Sequence, residues 1–139
     1  AEALDLIRAF NTGHAGMSTL HANSAYDALV ALENLVLQAG LDIPARAVKE
    51  LVSRAIQVVV HVSHFPDDSR KVMEIAEVRG LDTETAPAFP PYRLIPLYRF
   101  GFGGLDSAGA VQGRFAALEP PSFLEELRLK NIPLPEVWQ

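Results

Sequence analysis

Hydrophobic residues at the start of the chain recur at helical spacing. Ala3, Leu6, Ile7 and Phe10 fall on one helix face at i, i+3, i+4 and i+7, and Gly13 lies where that helix is expected to stop. The mixed stretch MSTLHA, residues 17–22, reads as a short strand running into a turn. A second helix is predicted to open at NSAYD. Ser24 can accept a hydrogen bond from the amide of Asp27, and the Asp27 carboxylate suits the positive end of the helix. Leu29, Leu32, Leu35, Val36 and Ala39 make its buried stripe, and Gly40 ends it. Pro44 suits the first turn of a third helix, where its missing N–H would be unpaired in any case. Val48, Leu51, Val52, Ala55 and Ile56 form the apolar face of that helix.

The period then changes. QVVVHV is a β-branched run, FPDDSR a turn and KVMEIAEV a returning strand, so residues 57–79 read as a hairpin. LDTETAPAFPPYR is a Pro-rich connector, and YRLIPLYRF beyond it is a strand whose internal Pro96 marks it as an edge or bulged strand. GFGGLDSAG reads as a turn and AVQGRFA as a further short strand. PPSFLEELRLK starts a last helix, with Ser122 and Glu125 at capping-box spacing, and NIPLPEVWQ is expected to pack extended. Two sections result: residues 1–80, mixed α and β, and residues 81–139, a connector with edge strands and a final helix.

Composition narrows the function classes. The 139 residues are 49% hydrophobic and 21% charged, ordinary for one globular domain and too rich in aliphatics for disorder. A net charge of -5 argues against a general nucleic-acid binder, although one small pocket could still hold a nucleotide. With no cysteine, disulfides, thiolate zinc sites and thiol catalysis all drop out, which fits a reducing compartment. No apolar run approaches the ~18 residues of a membrane span, and no secretory signal opens the chain. The opening AEALDLIRAF has no initiator Met and resembles the middle of an amphipathic helix, as expected of a piece of a longer protein.

Candidate chemistry concentrates in TGHAGMSTLHA, residues 12–22. Metal binding fits poorly, because zinc takes three or four convergent ligands and His61 and His64, three apart in a strand, would face opposite ways. A Ser-His-Asp hydrolase using Ser18 or Ser24 with Asp27 lacks a nucleophile elbow, and Ser24 is accounted for as a helix cap. GFGGLDSAG has no Lys-Ser/Thr ending and precedes a strand, so its glycines serve turns rather than a phosphate. Arg79, Arg93 and Arg99 read as surface cations or ion-pair partners. In the 12–22 stretch, by contrast, Gly13 and Gly16 let the backbone turn sharply and approach a ligand. Ser18 and Thr19 offer hydroxyls, and His14 and His21 offer donors to a phosphate oxygen. That combination suits a sensor for the terminal phosphate of a nucleotide.

The same stretch resembles the His box of the type II/type IV secretion-system traffic ATPases. The run NTGHAGMSTLHANSAYDALVALENLVLQAGLDIPARAV is similar to the tight-adherence pilus and conjugal-transfer branch. IQVVVHVSHFPDDSRKVMEIAEVRG and GRFAALEPPSFLEELRLKNIPLP resemble the family's later segments, so the likeness spans nearly the whole chain. It implies an α/β fold, the C-terminal portion of a RecA-like P-loop NTPase domain, with three N-terminal helices, a β-hairpin and a short β/α extension. It also implies a ring-shaped homo-hexamer that hydrolyses ATP with Mg²⁺ at the inner face of the cytoplasmic membrane. There it would work on inner-membrane secretion or pilus platform proteins, with no nucleic acid as partner.

Carried over by position, His21 first and His14 second are the catalytic candidates, and Gly13, Ser18 and Thr19 line the nucleotide; no metal ligand is assigned. Two departures stand out. The histidine spacing is one residue shorter than in that branch and matches the pilus-retraction motors better. The chain also has no Gly-x-x-x-x-Gly-Lys-Ser/Thr and no acidic Walker B strand before its first helix. Phosphate and Mg²⁺ placement depend on those parts, so the chain alone is expected to hold no cofactor tightly and to be inactive as an ATPase. The alternatives are a non-catalytic interaction module docking secretion components and, third, a His-ligated metal hydrolase.

Overall fold

The computed structural model describes residues 2–40 and 42–139. Helices α1 (Glu2–Asn11), α2 (Ala25–Leu37) and α3 (Ala45–Ala55) come first. Strands β1 (Val58–His64), β2 (Arg70–Leu81), β3 (Tyr92–Leu105) and β4 (Val111–Ala117) follow, then α4 (Leu124–Leu129) and a 3-10 turn at Glu136–Trp138. The chain is α/β, with one antiparallel four-stranded sheet in the order β1-β2-β3-β4. Among the described residues no helix is long and apolar enough to cross a membrane. Two compact units divide it: one holds residues up to Val59 with Val78–Ile95, the other Val60–Glu77 with Pro96–Gln139.

The first unit is built on the three helices. Leu4 and Ile7 of α1, Leu29, Leu32 and Val36 of α2, and Val48, Val52 and Ala55 of α3 close its core with Val78 and Tyr92. Each large aliphatic buried this way contributes about 1.5–3 kcal/mol. The buried stripe of α1 is centred on Leu4 and Ile7, while Ala3, Leu6 and Phe10 lie at its half-buried margins. Ser24 caps α2 as its spacing predicts, its Oγ accepting from the Asp27 amide at 3.0 Å. Leu35, assigned to the buried stripe of α2, is instead exposed. Glu33 occupies the core position that the i, i+4 step from Leu29 defines, so the buried face is turned away from Leu35. Pro44 is the N-cap of α3 rather than a residue of its first turn. The Pro-rich connector returns to α3 through Arg46, whose Nη1 donates to the Pro87 carbonyl at 3.0 Å.

The second unit centres on the β3–β4 ribbon, paired from Tyr98↔Ala117 to Leu105↔Val111. Residues 101–105, expected as part of a turn, continue the strand through a bulge between Phe102 and Gly104, where Gly104 takes φ +112. The turn itself is residues 106–110, closed by Asp106 N donating to the Ala110 carbonyl and by Asp106 Oδ1 accepting from the Ala108 and Ala110 amides. β3 lies inside the sheet, not at its edge; Pro96 is tolerated two residues before the pairing with β4 begins. The expected capping box at Ser122 does not form. Ser122 gives both its N–H and its hydroxyl to the buried carboxylate of Glu77, a charge-assisted arrangement stronger than a neutral cap, and Phe123 becomes the N-cap. The tail is extended only up to its 3-10 turn, which sets Trp138 against Tyr98 at 4.7 Å between ring centroids.

Candidate functional site

The histidine-bearing stretch links α1 to α2, and the end of α1 determines how it starts. Gly13, at φ +90, donates to the Phe10 carbonyl, and the His14 amide donates back to the Ala9 carbonyl, each at 3.2 Å. This is a Schellman closure, which needs a left-handed residue at Gly13. It delivers the His14 ring beside the last helical turn, with Nδ1 3.3 Å from the Ala9 carbonyl and 3.2 Å from Thr12 Oγ1. A carbonyl can only accept, so this partner selects the Nδ1–H tautomer and leaves Nε2 facing outward. Gly16 then crosses the Phe10 ring so closely that a Cβ there would sit 2.6 Å from it.

Beyond Gly16 the strand expected over residues 17–22 is absent. These residues have no regular structure, and residues 15–23 form no backbone hydrogen bond with another described residue. A strand forms only where a neighbour satisfies its N–H and C=O groups, and none lies alongside within the described residues. Ser18, Thr19 and His21 are exposed, and none of their side chains bonds within the described residues. Met17 is fully exposed. The structure therefore gathers Gly13, Thr12 and His14 into one closure and presents Ser18, Thr19 and His21 to solvent from one short loop.

Nothing else among the described residues offers competing metal chemistry, for no group of three His, Cys, Asp or Glu side chains converges. His61 and His64 fall on opposite sides of the alternation along β1. Arg99 is an ion-pair partner, 2.8 Å from Glu74. Arg93 lines a polar cleft of about 250 Å³ with Asp82 and Thr85, and none of residues 12–22 lines it. The donors of residues 12–21 suit an anionic oxygen.

One cluster escaped the periodicity reading. Glu33 and Lys49 are both buried; Tyr92 Oη donates to Glu33 Oε2 at 3.0 Å, and Lys49 Nζ lies 4.0 Å from the same oxygen. Burial first, and then the Glu33 carboxylate, push the Tyr92 phenol far up, so it stays a donor. The Lys49 ammonium also sits 4.1 Å over the Phe89 ring and 5.0 Å over Tyr92. The signal was present: Leu29, Leu32, Glu33 and Val36 obey the helical rule with a carboxylate in the third place.

An α/β chain with an exposed Gly-His-Ser-Thr-His loop between two packed helices fits the class of secretion-system proteins that its sequence resembles. Residues 1–84 match the type II/IV secretion system protein family, and the chain belongs to it. It is 38% identical over 80 residues to a protein of Mycobacterium tuberculosis strain H37Rv named for conjugal transfer, covering 57% of this chain and 22% of that one. It is 33% identical over 79 residues to the conjugal transfer protein TrbB of Rhizobium radiobacter, covering 56% and 23%. The chain thus spans less than a quarter of the length of these relatives.

Proposed function

We propose that this chain is the C-terminal part of a RecA-like, hexameric ATPase that powers secretion, conjugation-like transfer or pilus assembly. The observation that carries the reading is the loop of residues 12–21, held at one end by the Schellman closure and offering Ser18, Thr19, His21 and the outward Nε2 of His14. On this reading Gly13 sets the loop's departure. His21, then His14 in its imidazolium form, where Nε2 carries a proton as well as Nδ1, donate hydrogen bonds with Ser18 and Thr19 to the terminal phosphate of a nucleotide. Bound ATP with Mg²⁺ supplies the anhydride whose hydrolysis drives the work. A Walker A lysine and an acidic Walker B strand, absent from this sequence, come from the rest of the parent protein, so the chain alone is inactive. The family match ending at residue 84 supports a core over residues 1–80 and an extension over 81–139.

The relatives' names support a transfer role; on the same reading the assembly is cytoplasmic, peripheral to the inner membrane, and works against platform proteins there. The test is ATPase activity of the full-length parent with His21→Ala. A loss of at least about tenfold, with nucleotide still bound, is expected of a group that stabilises charge on the phosphate. Unchanged turnover refutes the role, and a parent without a P-loop upstream of residue 1 would favour the interaction-module reading.

A further inference from the structure

The second unit carries a half-open aromatic face with no part in the nucleotide reading. Tyr98 and Phe100 lie on one face of β3, because side chains two apart in a strand share a side. Phe115, opposite Phe100 on β4, stacks on Tyr98 at 5.2 Å and 4° between planes. One end of this face is already filled. Trp138 packs on Tyr98, and Arg128 Nη2 donates to the Trp138 carbonyl at 3.1 Å. An aromatic side chain laid on the sheet, with an arginine holding its backbone, is thus how this surface binds the chain's own tail.

Between that end and Phe65, which meets the Phe100 ring edge-on at 6.2 Å, the face is open. A groove of about 330 Å³ runs over Phe100 and Phe115, walled by Val72 and Ile75, with Arg70 and Lys71 also lining it. It has room for one large side chain. Gly113 keeps the floor low: the Phe100 ring lies directly over it, where a Cβ would collide. Phe115 remains 45% exposed, and Arg70 is exposed and makes no ion pair among the described residues. Lys71 is partly occupied, being close enough to Asp67 to help stabilise that carboxylate.

We propose that this groove docks an acidic peptide segment of a partner protein, an aromatic side chain entering over Phe100 and Phe115 and a neighbouring carboxylate pairing with Arg70. Two observations select that occupant: the same face already takes Trp138 in this manner, and the unneutralised cation beside the groove calls for an anion. A single-stranded nucleic acid would also stack on aromatics, but it needs a basic track along its backbone, and a chain of net charge -5 supplies only these two cations at the groove.

The test is fluorescence anisotropy of the chain with a fluorescein-labelled peptide, Gly-Asp-Glu-Trp-Asp-Glu-Gly. Its counterpart with lysines in place of the acids and a labelled oligodeoxythymidine serve as competing probes. The acidic peptide is expected to bind saturably and at least about tenfold tighter than either alternative. Arg70→Glu and Phe115→Ala should each weaken it about tenfold, while Arg114→Glu, on the opposite face of β4, leaves it unchanged. Should Phe115→Ala unfold by circular dichroism, Arg70→Glu alone decides. Equal binding of the two peptides, preference for the oligonucleotide, equal loss in Arg114→Glu, or self-association abolished by Arg70→Glu without peptide binding would each overturn the proposal.

Discussion

Replacing Lys49 by Met tests how the helical unit holds its buried charges. Lys49 is 5% exposed, and its ammonium lies 4.0 Å from Glu33 Oε2 with the Phe89 and Tyr92 rings close by. Met keeps most of the volume and removes the charge, so Glu33 remains buried with the Tyr92 hydroxyl as its only hydrogen-bond donor among the described residues. Removing one partner of a buried pair costs about 3–5 kcal/mol, because the other charge is left uncompensated. The lower end applies here: 4.0 Å is the outer limit of direct contact, and the Tyr92 bond persists. Urea denaturation should therefore show a loss of about 3 kcal/mol as a lower midpoint with an unchanged slope. A triple variant, Glu33→Leu with Lys49→Met and Tyr92→Phe, removes every polar group together and leaves none unpaired. It should return to within about 2 kcal/mol of the parent, since apolar replacement of a whole buried network is often close to neutral. A single variant losing less than about 1 kcal/mol, or a triple variant losing the full sum of its singles, would refute the coupling.

Two further perturbations address local devices. Ser24→Ala removes the acceptor of the Asp27 amide and should cost about 1 kcal/mol in thermal unfolding, with Ser24→Gly losing only a few tenths. Asp67 accepts from Ser69 Oγ and N and from the Val111 amide at 2.7 Å, tying the β1–β2 turn to β4; these bonds hold its pKa down to about 2 from 3.8. A depressed carboxylate pKa stabilises the fold above the unfolded value of 3.8, and the contribution fades as pH falls toward about 2. Asp67→Asn should accordingly be less stable than the parent near neutrality, and the gap should close across that window. A gap independent of pH would mean that the amide lost packing rather than charge.

What could be read from the sequence was what neighbours in the chain decide. The start of α2 rests on Ser24 meeting an amide three residues away, and the β1–β2 hairpin rests on a β-branched run before FPDDSR and a returning strand after it. The readings that failed depended on distant groups. Ser122 has the spacing of a cap, but Glu77, 45 residues earlier, offers a buried carboxylate that a local Glu125 cannot match. GFGGL looked like a turn because glycine is common there, yet Gly113 across the ribbon leaves space for the Phe100 ring and the strand continues through a bulge. Residues 17–22, short and mixed, suggest a strand running into a turn, but residue type supplies no partner for the backbone. The histidine-bearing loop was found by residue type; its tautomer and its closure on Ala9 became visible only with helix α1 in place.

The exposure of that loop bears on how it would act in the proposed motor. Its entry is fixed by the closure at Gly13 and the crossing at Gly16, so the free span is residues 17–21. Ordering five residues costs about 5–10 kcal/mol of backbone entropy. Covering Met17, fully exposed, and the 39% of Leu20 still exposed returns only about 2–4 kcal/mol. Packing by itself therefore leaves the loop short of balance. Hydrogen bonds from Ser18, Thr19 and His21 to an anionic phosphate, about 1.5–3 kcal/mol each, are of the size needed to tip it. A loop balanced this way closes when a terminal phosphate is present and releases when it leaves, and this follows from the loop's having no internal bonds of its own. A box held rigidly by such bonds could still touch the phosphate, but its conformation would not report whether the phosphate was there.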